Sequence, residues 1–304
     1  MKIKGLILIG LALSCFFLFS MLQVAHASGE IKGEKSINEI FEDGNLALII
    51  AGKLNKSIVD DVTQAELNTI MQFDAEYCDI KSISGVEFLK NLASVNLNSN
   101  KIVDLSPLKD LKELKVLNLN NNIIKQLKPL SNIRTLRVLE LNENIISDVD
   151  SLKNLSELRI LLVNSNKIVD ISCVGNMQKL FVLEANNNSI TNMQPIMKRK
   201  EATYSAQNQI LYKQPVTVNP NNSFQMLNPV VVGVCERNPE NLAPKEISAG
   251  GQYDFPDITW KNLASKPETI ECSYSYGDKY NLKIIQPLNY KSVAKSNIKK
   301  QTKK

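Results

Sequence analysis

Glu140 and Glu184 are the two residues of this chain best placed to do chemistry, and they stand 44 positions apart. Paired carboxylates are the equipment of a glycosidase, one serving as acid and the other as base or nucleophile. The spacing is two periods of a 22-residue repeat. Both side chains therefore fall in one column of a stacked sheet, about 10 Å apart at ~4.8 Å per rung. That separation is near the one an inverting enzyme uses. Leu162 stands between them, however, and an open sheet offers no pocket to exclude water. The single histidine, His26, precedes a predicted signal-peptide cleavage site. The mature chain then has no imidazole for a Ser-His-Asp or Cys-His mechanism and lacks the commonest metal ligand. Cys78, Cys173, Cys235 and Cys272 show no C-x-x-C spacing, which argues against zinc. The stretch "FEDGN" misses the calcium-loop pattern, so Asp43 reads as a helix cap. There is no P-loop, dinucleotide fingerprint or nucleophile elbow. The expectation is a protein that is not an enzyme and uses no cofactor and no metal.

The elements that carry these residues follow from the period. Leu92, Leu114, Leu136, Leu158 and Leu180 are 22 apart, and Asn100, Asn122, Asn144, Asn166 and Asn188 repeat in step. So do Ile102, Ile124, Ile146, Ile168 and Ile190, and a degenerate first unit has Ile70, Phe73, Ala75, Cys78 and Ile80. The pattern L-x-x-L-x-L-x-x-N/C-x-I is a leucine-rich repeat. It predicts a solenoid with short parallel strands on the concave face and a 3-10 or irregular convex side. Each L-x-L segment is a strand, after which the chain turns sharply and leaves backbone groups without ladder partners. An inward Asn can donate and accept, so Cys78, Asn100, Asn122, Asn144, Asn166 and Asn188 are read as a structural ladder. Leu127, Leu130 and Ile133 return the chain to the core, and Pro107, Pro129 and Pro195 share one position, read as extended backbone.

The ends need covering, because a solenoid otherwise exposes edges and core. Residues 28–69 are read as a helical N-terminal cap: "NLALIIAGKLNK" has helical spacing, and Thr63 with Glu66 has capping-box spacing. Repeats occupy 70–215. In 216–290, "VVVGV", "DITW", "TIECSYSY" and "NLKII" read as strands of a small immunoglobulin-like β-sandwich closing the last rung. Cys235 and Cys272 lie in candidate strands there; two buried thiols are preferred to a bridge. Lys2 and Lys4, an apolar run from Gly5 to Val24 and Ala25-His26-Ala27 mark residues 1–27 as a signal peptide. Residues 291–304 hold six lysines and no acid, and read as a disordered basic tail. Residues 28–290 carry 28 basic against 31 acidic side chains, a net charge of −3. The basic balance is therefore no nucleic-acid footprint, and no second long apolar run calls for membrane insertion.

This arrangement, with "SPLKDL" and "KPLSNI" returns, "SIVDDVTQAELNTI" in the cap and "ISAGGQYDFPDITW" and "KIIQPL" in the β-domain, resembles the internalins, secreted and surface proteins of Gram-positive pathogens. The resemblance spans residues 36–290. It implies a non-enzymatic protein, expected to be a monomer, whose concave face grips a host protein during infection. Many internalins carry an L-P-x-T-G sorting signal or G-W modules. This sequence shows neither, so it is similar to the small secreted members, acting in the extracellular space.

The concave face should then be four columns. One reads Asp74, Asn96, Asn118, Glu140, Leu162, Glu184; the next Glu76, Asn98, Asn120, Asn142, Asn164, Asn186. A third reads Tyr77, Ser99, Asn121, Glu143, Ser165, Asn187, and a fourth Gln72, Ser94, Val116, Val138, Ile160, Val182. The face is acidic, holds a valine-rich stripe, and has Tyr77 as its aromatic. An acidic, partly apolar face suits a basic-rimmed protein partner; the same residues also serve as ordinary strand flanks and solvated polar groups. Tethering of the tail to an anionic wall polymer is the alternative reading, and a carbohydrate-active enzyme the remoter one.

Overall fold

A computed structural model describes residues 30–31, 33–197, 199, 201–218, 223–227, 244–254, 257–261, 263, 266–276 and 279–290. The expected signal peptide, the lysine tail, "VVVGV" and Cys235 lie outside the described residues.

The repeats place one three-residue strand per rung, because the chain turns away from the sheet after each L-x-L segment. β3 (Gln72–Asp74), β4 (Ser94–Asn96), β5 (Val116–Asn118), β6 (Val138–Glu140), β7 (Ile160–Leu162) and β8 (Val182–Glu184) pair in parallel, each shifted by one 22-residue period. Val95, Leu117, Leu139, Leu161 and Leu183 point into the core and are all but fully buried. On the convex side the chain returns through 3-10 turns at Val86–Phe88, Ser106–Leu108, Lys128–Leu130, Asp150–Leu152 and Ser172–Asn176. Pro107 and Pro129 sit inside the first residues of two of these turns, and Pro195 within a short helix, Gln194–Met197. The reading of extended backbone at these prolines is corrected. A fixed φ near −65° suits a helical turn as well, and a first-turn N–H needs no partner.

The N-terminal cap holds three helices, α1 (Ile37–Ile40), α2 (Gly44–Leu54) and α3 (Gln64–Leu67). A two-stranded antiparallel ribbon of β1 (Lys35–Ser36) and β2 (Asp61–Val62) frames them. Thr63 and Glu66 form the expected capping box, with Glu66 Oε2 accepting from Thr63 N–H at 2.8 Å. Asp43 caps α2 as expected, one oxygen accepting from the amides of Asn45 and Leu46. Its other oxygen accepts from Lys81 N–H at 2.8 Å, which ties the cap to the first repeat. Gly85 lets the two meet. Its φ is +99°, and a Cβ there would lie 2.5 Å from the Ile40 carbonyl oxygen.

At the other end the convex turn is α4 (Gln194–Met197). Arg199 follows it and reaches back one rung. Its guanidinium donates to the carbonyls of Val174, Gly175, Met177 and Leu180; those of Val174 and Met177 also accept backbone amides of the same turn. The strand β9 (Thr203–Tyr212) then pairs with β8 over Thr203–Ser205, and its far part pairs in parallel with β16 (Tyr280–Tyr290). β10 (Val216–Val218) pairs β16 near its end, and β15 (Thr269–Tyr276) and β12 (Glu246–Ile247) extend the sheet beyond it. The repeats and the β-domain thus share one eleven-stranded sheet. A second sheet of β11 (Phe224–Leu227), β14 (Asp257–Trp260) and β13 (Gln252–Asp254) completes the immunoglobulin-like sandwich. Trp260 is buried in its core and donates to the Ser248 carbonyl at 2.8 Å. Cys272 is a buried free thiol.

Candidate protein-binding face

The ladder comes first, because it fixes the face. The Oδ1 of Asn122, Asn144, Asn166 and Asn188 accepts from the amide of Ile102, Ile124, Ile146 and Ile168 on the preceding rung at 2.9 to 3.0 Å. Their Nδ2 groups donate to carbonyls of the same and the preceding rung. Asn100 does the same at the start, accepting from Cys78 and Ile80. Cys78 itself is half-buried and its Sγ donates to the Glu76 carbonyl. The ladder runs one rung further than the sequence suggests. Gln209, almost fully buried, accepts from Ile190 N–H at 2.8 Å and donates to the Ala185 carbonyl at 2.8 Å. It lies 21 residues after Asn188, not 22, and one extra methylene makes up the difference.

In-register pairing brings the expected concave columns together. Asp74, Asn96, Asn118, Glu140, Leu162 and Glu184 line up across β3 to β8, as do Gln72, Ser94, Val116, Val138, Ile160 and Val182. All stay exposed or half-buried, while the residues between them are buried.

The asparagine column has a second duty that residue spacing hides. The Oδ1 of Asn120, Asn142 and Asn164 accepts from the backbone amide of Asn142, Asn164 and Asn186, and Asn186 does so for Gln207, at 2.7 to 2.8 Å. Asn98 instead takes its amide partner from Asn96 Oδ1, as Asn120 does from Asn118. These residues form a second, wetter ladder, and they meet a partner only with what that ladder leaves. The acids serve it too. Glu140 accepts from Asn120 Nδ2 at 2.8 Å, Glu184 from Asn164 at 2.9 Å and Glu76 from Asn98 at 2.5 Å. Glu140 and Glu184 are thus each hydrogen-bonded to an asparagine of the preceding rung. A cavity of about 820 Å³ opens elsewhere, on the convex side between Glu42, Ser84, Asp104 and Glu113.

The third column is the turn itself. Tyr77, Ser99, Asn121, Glu143, Ser165 and Asn187 all have left-handed backbone, with φ of 52° to 56°. Tyr77 pays the steric penalty of that region and is 75% exposed.

A further row lies one residue before the fourth column, outside the four columns read from the sequence. It reads Met71, Ala93, Lys115, Arg137, Arg159 and Phe181. Arg137, Arg159 and Phe181 are exposed, and Phe181 is a second exposed aromatic beside the valine stripe. Glu157 lies under this row. Its carboxyl is held below the ordinary carboxylate value by the Lys179 ammonium, to which it is hydrogen-bonded, with Arg137 and Arg159 adding to the effect. The face is thus polarised: cationic at the leading ends of its strands, apolar along the valine column, acidic and amide-rich beyond. Among the described residues, no group of His, Cys, Asp and Glu is arranged to hold a metal.

Known proteins match in the same order. A family described as bacterial adhesion/invasion protein N terminal matches residues 23–68, a leucine-rich-repeat family 90–132, and an LRR-adjacent family 240–290. Internalin C of Listeria monocytogenes is 35% identical over 63 residues, which are 20% of this chain and 21% of that protein. The structure of an internalin (inlF) from the same organism is 36% identical, with a TM-score of 0.55, over 59% of this chain and 54% of its own. The match thus spans about a fifth of the first relative and about half of the second. A secreted internalin-like protein of L. monocytogenes has a TM-score of 0.64 over 86% of this chain and all of its own; at 18% identity it shows the shared fold alone. Cap, repeats and adjacent β-domain, joined in that order on one solenoid, make this chain a leucine-rich-repeat protein similar to the internalins.

Proposed function

We propose that this is a secreted, non-enzymatic virulence-type protein that binds a host protein through its concave face. One observation carries the reading. Val116, Val138, Ile160, Leu162 and Val182 stay partly exposed in register on a curved sheet whose inward positions already fill the core. Apolar side chains that the fold does not use are what a protein interface uses. The internalin matches support a protein-interaction role, and the A-x-A motif supports export. Among the described residues no helix is long and apolar enough to cross a membrane.

The test is capture from host-cell extract by the purified protein and by a Tyr77→Asn, Glu140→Gln, Leu162→Asn variant. Asn suits the left-handed backbone at position 77, and Gln keeps an acceptor for Asn120. Equal circular dichroism shows that both fold. A host protein held by the parent and lost by the variant supports the concave face. One held equally by both moves the site elsewhere, and none held by either overturns host binding.

A further inference from the structure

The cations at the leading ends of the strands are organised as a row. Lys115, Arg137 and Arg159 occupy the same position on three consecutive rungs, next to Val116, Val138 and Ile160. Among the described residues none of the three forms an ion pair. The next residue in the row is Phe181, 48% exposed, beside half-buried Val182. Cations and apolar side chains therefore run in two parallel lines across the rungs. The trailing side of the same face carries Glu140, Glu143 and Glu184.

We infer that this edge is a docking row for an acidic amphipathic helix of a partner protein, laid across the strands. The inference rests on the concave face being the binding face and specifies what it binds. Rungs are ~4.8 Å apart, so Lys115 and Arg159 are about 9.6 Å apart along the row. On a helix, positions i, i+3 and i+7 share a face and span about 10.5 Å at 1.5 Å per residue. Flexible Lys and Arg side chains absorb that difference. An extended segment places every second residue on one side and needs about 13 Å for three, so it falls out of step. Carboxylates at i, i+3 and i+7 meet the cations, and the apolar stripe beside them rests on Val116, Val138 and Ile160, with Phe181 closing the end. The acids across the face repel the same carboxylates, which pins the helix to the leading edge.

The probe is a stapled, fluorescein-labelled helical peptide with glutamates at i, i+3 and i+7 and leucines on the adjacent stripe, titrated with the purified protein by fluorescence anisotropy. Controls are the peptide with lysines for glutamates, a proline-interrupted version, phosphatidylserine vesicles and duplex DNA. The acidic helix should bind, and Arg137→Glu with Arg159→Glu should weaken it about tenfold or more. Arg137→Gln with Arg159→Gln should weaken it less, which separates repulsion from lost attraction. The inference is overturned if charge reversal leaves affinity unchanged, or if the lysine or proline peptide binds as tightly. Vesicles or DNA binding as tightly would mark the row as a general polyanion site and overturn it too. The two readings fail differently. A host protein lost by the Tyr77/Glu140/Leu162 variant but kept by the charge-reversed one sinks the helix row and leaves the concave face standing. One kept by both sinks both.

Discussion

Replacing Asn144 by Ala should destabilise the protein more than replacing its neighbour Asn142 by Ala, although both are ladder asparagines two positions apart. Asn144 is 7% exposed and supplies the partner of the Ile124 amide at 2.9 Å and of the Leu119 carbonyl at 3.0 Å. Ile124 is fully buried, so no water can replace the lost acceptor. The Leu119 carbonyl keeps a donor from Asn122 Nδ2 at 3.2 Å, but the Ile124 amide loses its acceptor, and a buried group left unpaired costs about 1–3 kcal/mol. Asn142 supplies the Asn164 amide at 2.8 Å, but from the half-buried concave side. Water can take over there, and the loss is below about 1 kcal/mol. Urea unfolding followed by far-ultraviolet circular dichroism gives both numbers. Hydrogen exchange at the amides of Ile124 and Asn164 shows whether the damage is local. Equal losses, or an Asn144→Ala loss under about 1 kcal/mol, would refute the distinction between a dry and a wet ladder.

Other expectations follow from single contacts. The Glu66 carboxyl is held down to about 2 from an ordinary 4.5 by the Lys56 ammonium and by hydrogen bonds from Thr63. A depressed folded value contributes stability above 4.5 that is lost as pH falls through about 2, so the thermal midpoint should drop across that window, and less so in Glu66→Gln. Arg199→Met should remove the guanidinium donors of the Gly175 and Leu180 carbonyls, while those of Val174 and Met177 keep backbone donors, and cost about 1–3 kcal/mol in urea; a loss near zero would show that water satisfies them. Glu143→Asn should stabilise by up to ~1 kcal/mol, because φ is 55° there; differential scanning calorimetry checks the sign. Burial, foremost, pushes the Cys173 thiol up to about 12 and the Cys272 thiol up to about 11, so neither should react with an aromatic disulfide reagent at pH 8 until the protein unfolds.

How much of this was legible in the sequence depended on range. The rungs, the ladder from Asn100 to Asn188 and the helical cap were legible because each repeats or signals locally: a fixed period for inward leucines, a Thr63–Glu66 box, helical spacing after Asp43. Features that depend on partners far along the chain were not. Parallel pairing of β9 with β16 joins residues about seventy positions apart, and no local pattern announces it. Gln209 escaped because it breaks the period by one residue and uses a different side chain. The structural use of Asn120, Asn142 and Asn164 escaped because an exposed column of amides looks the same whether it waits for a partner or bonds the next rung. The cationic row fell outside the four columns, since the position before a strand carries no apolar signature. The prolines misled because one fixed φ serves extended and 3-10 backbone alike.

The cap ties to the first repeat through Asp43 and Gly85, and the β-domain picks up the sheet at β9, where Gln209 ends the ladder. Between these two fittings each rung answers only to its neighbours: it brings its own asparagine and takes its acceptors from the rung before. Duplicating the stretch 114–135 would therefore add a rung without asking anything new of either end. The length of the face is a free variable of this architecture, and a lineage can lengthen or shorten its reach in steps of one rung while the closures at both ends stay as they are.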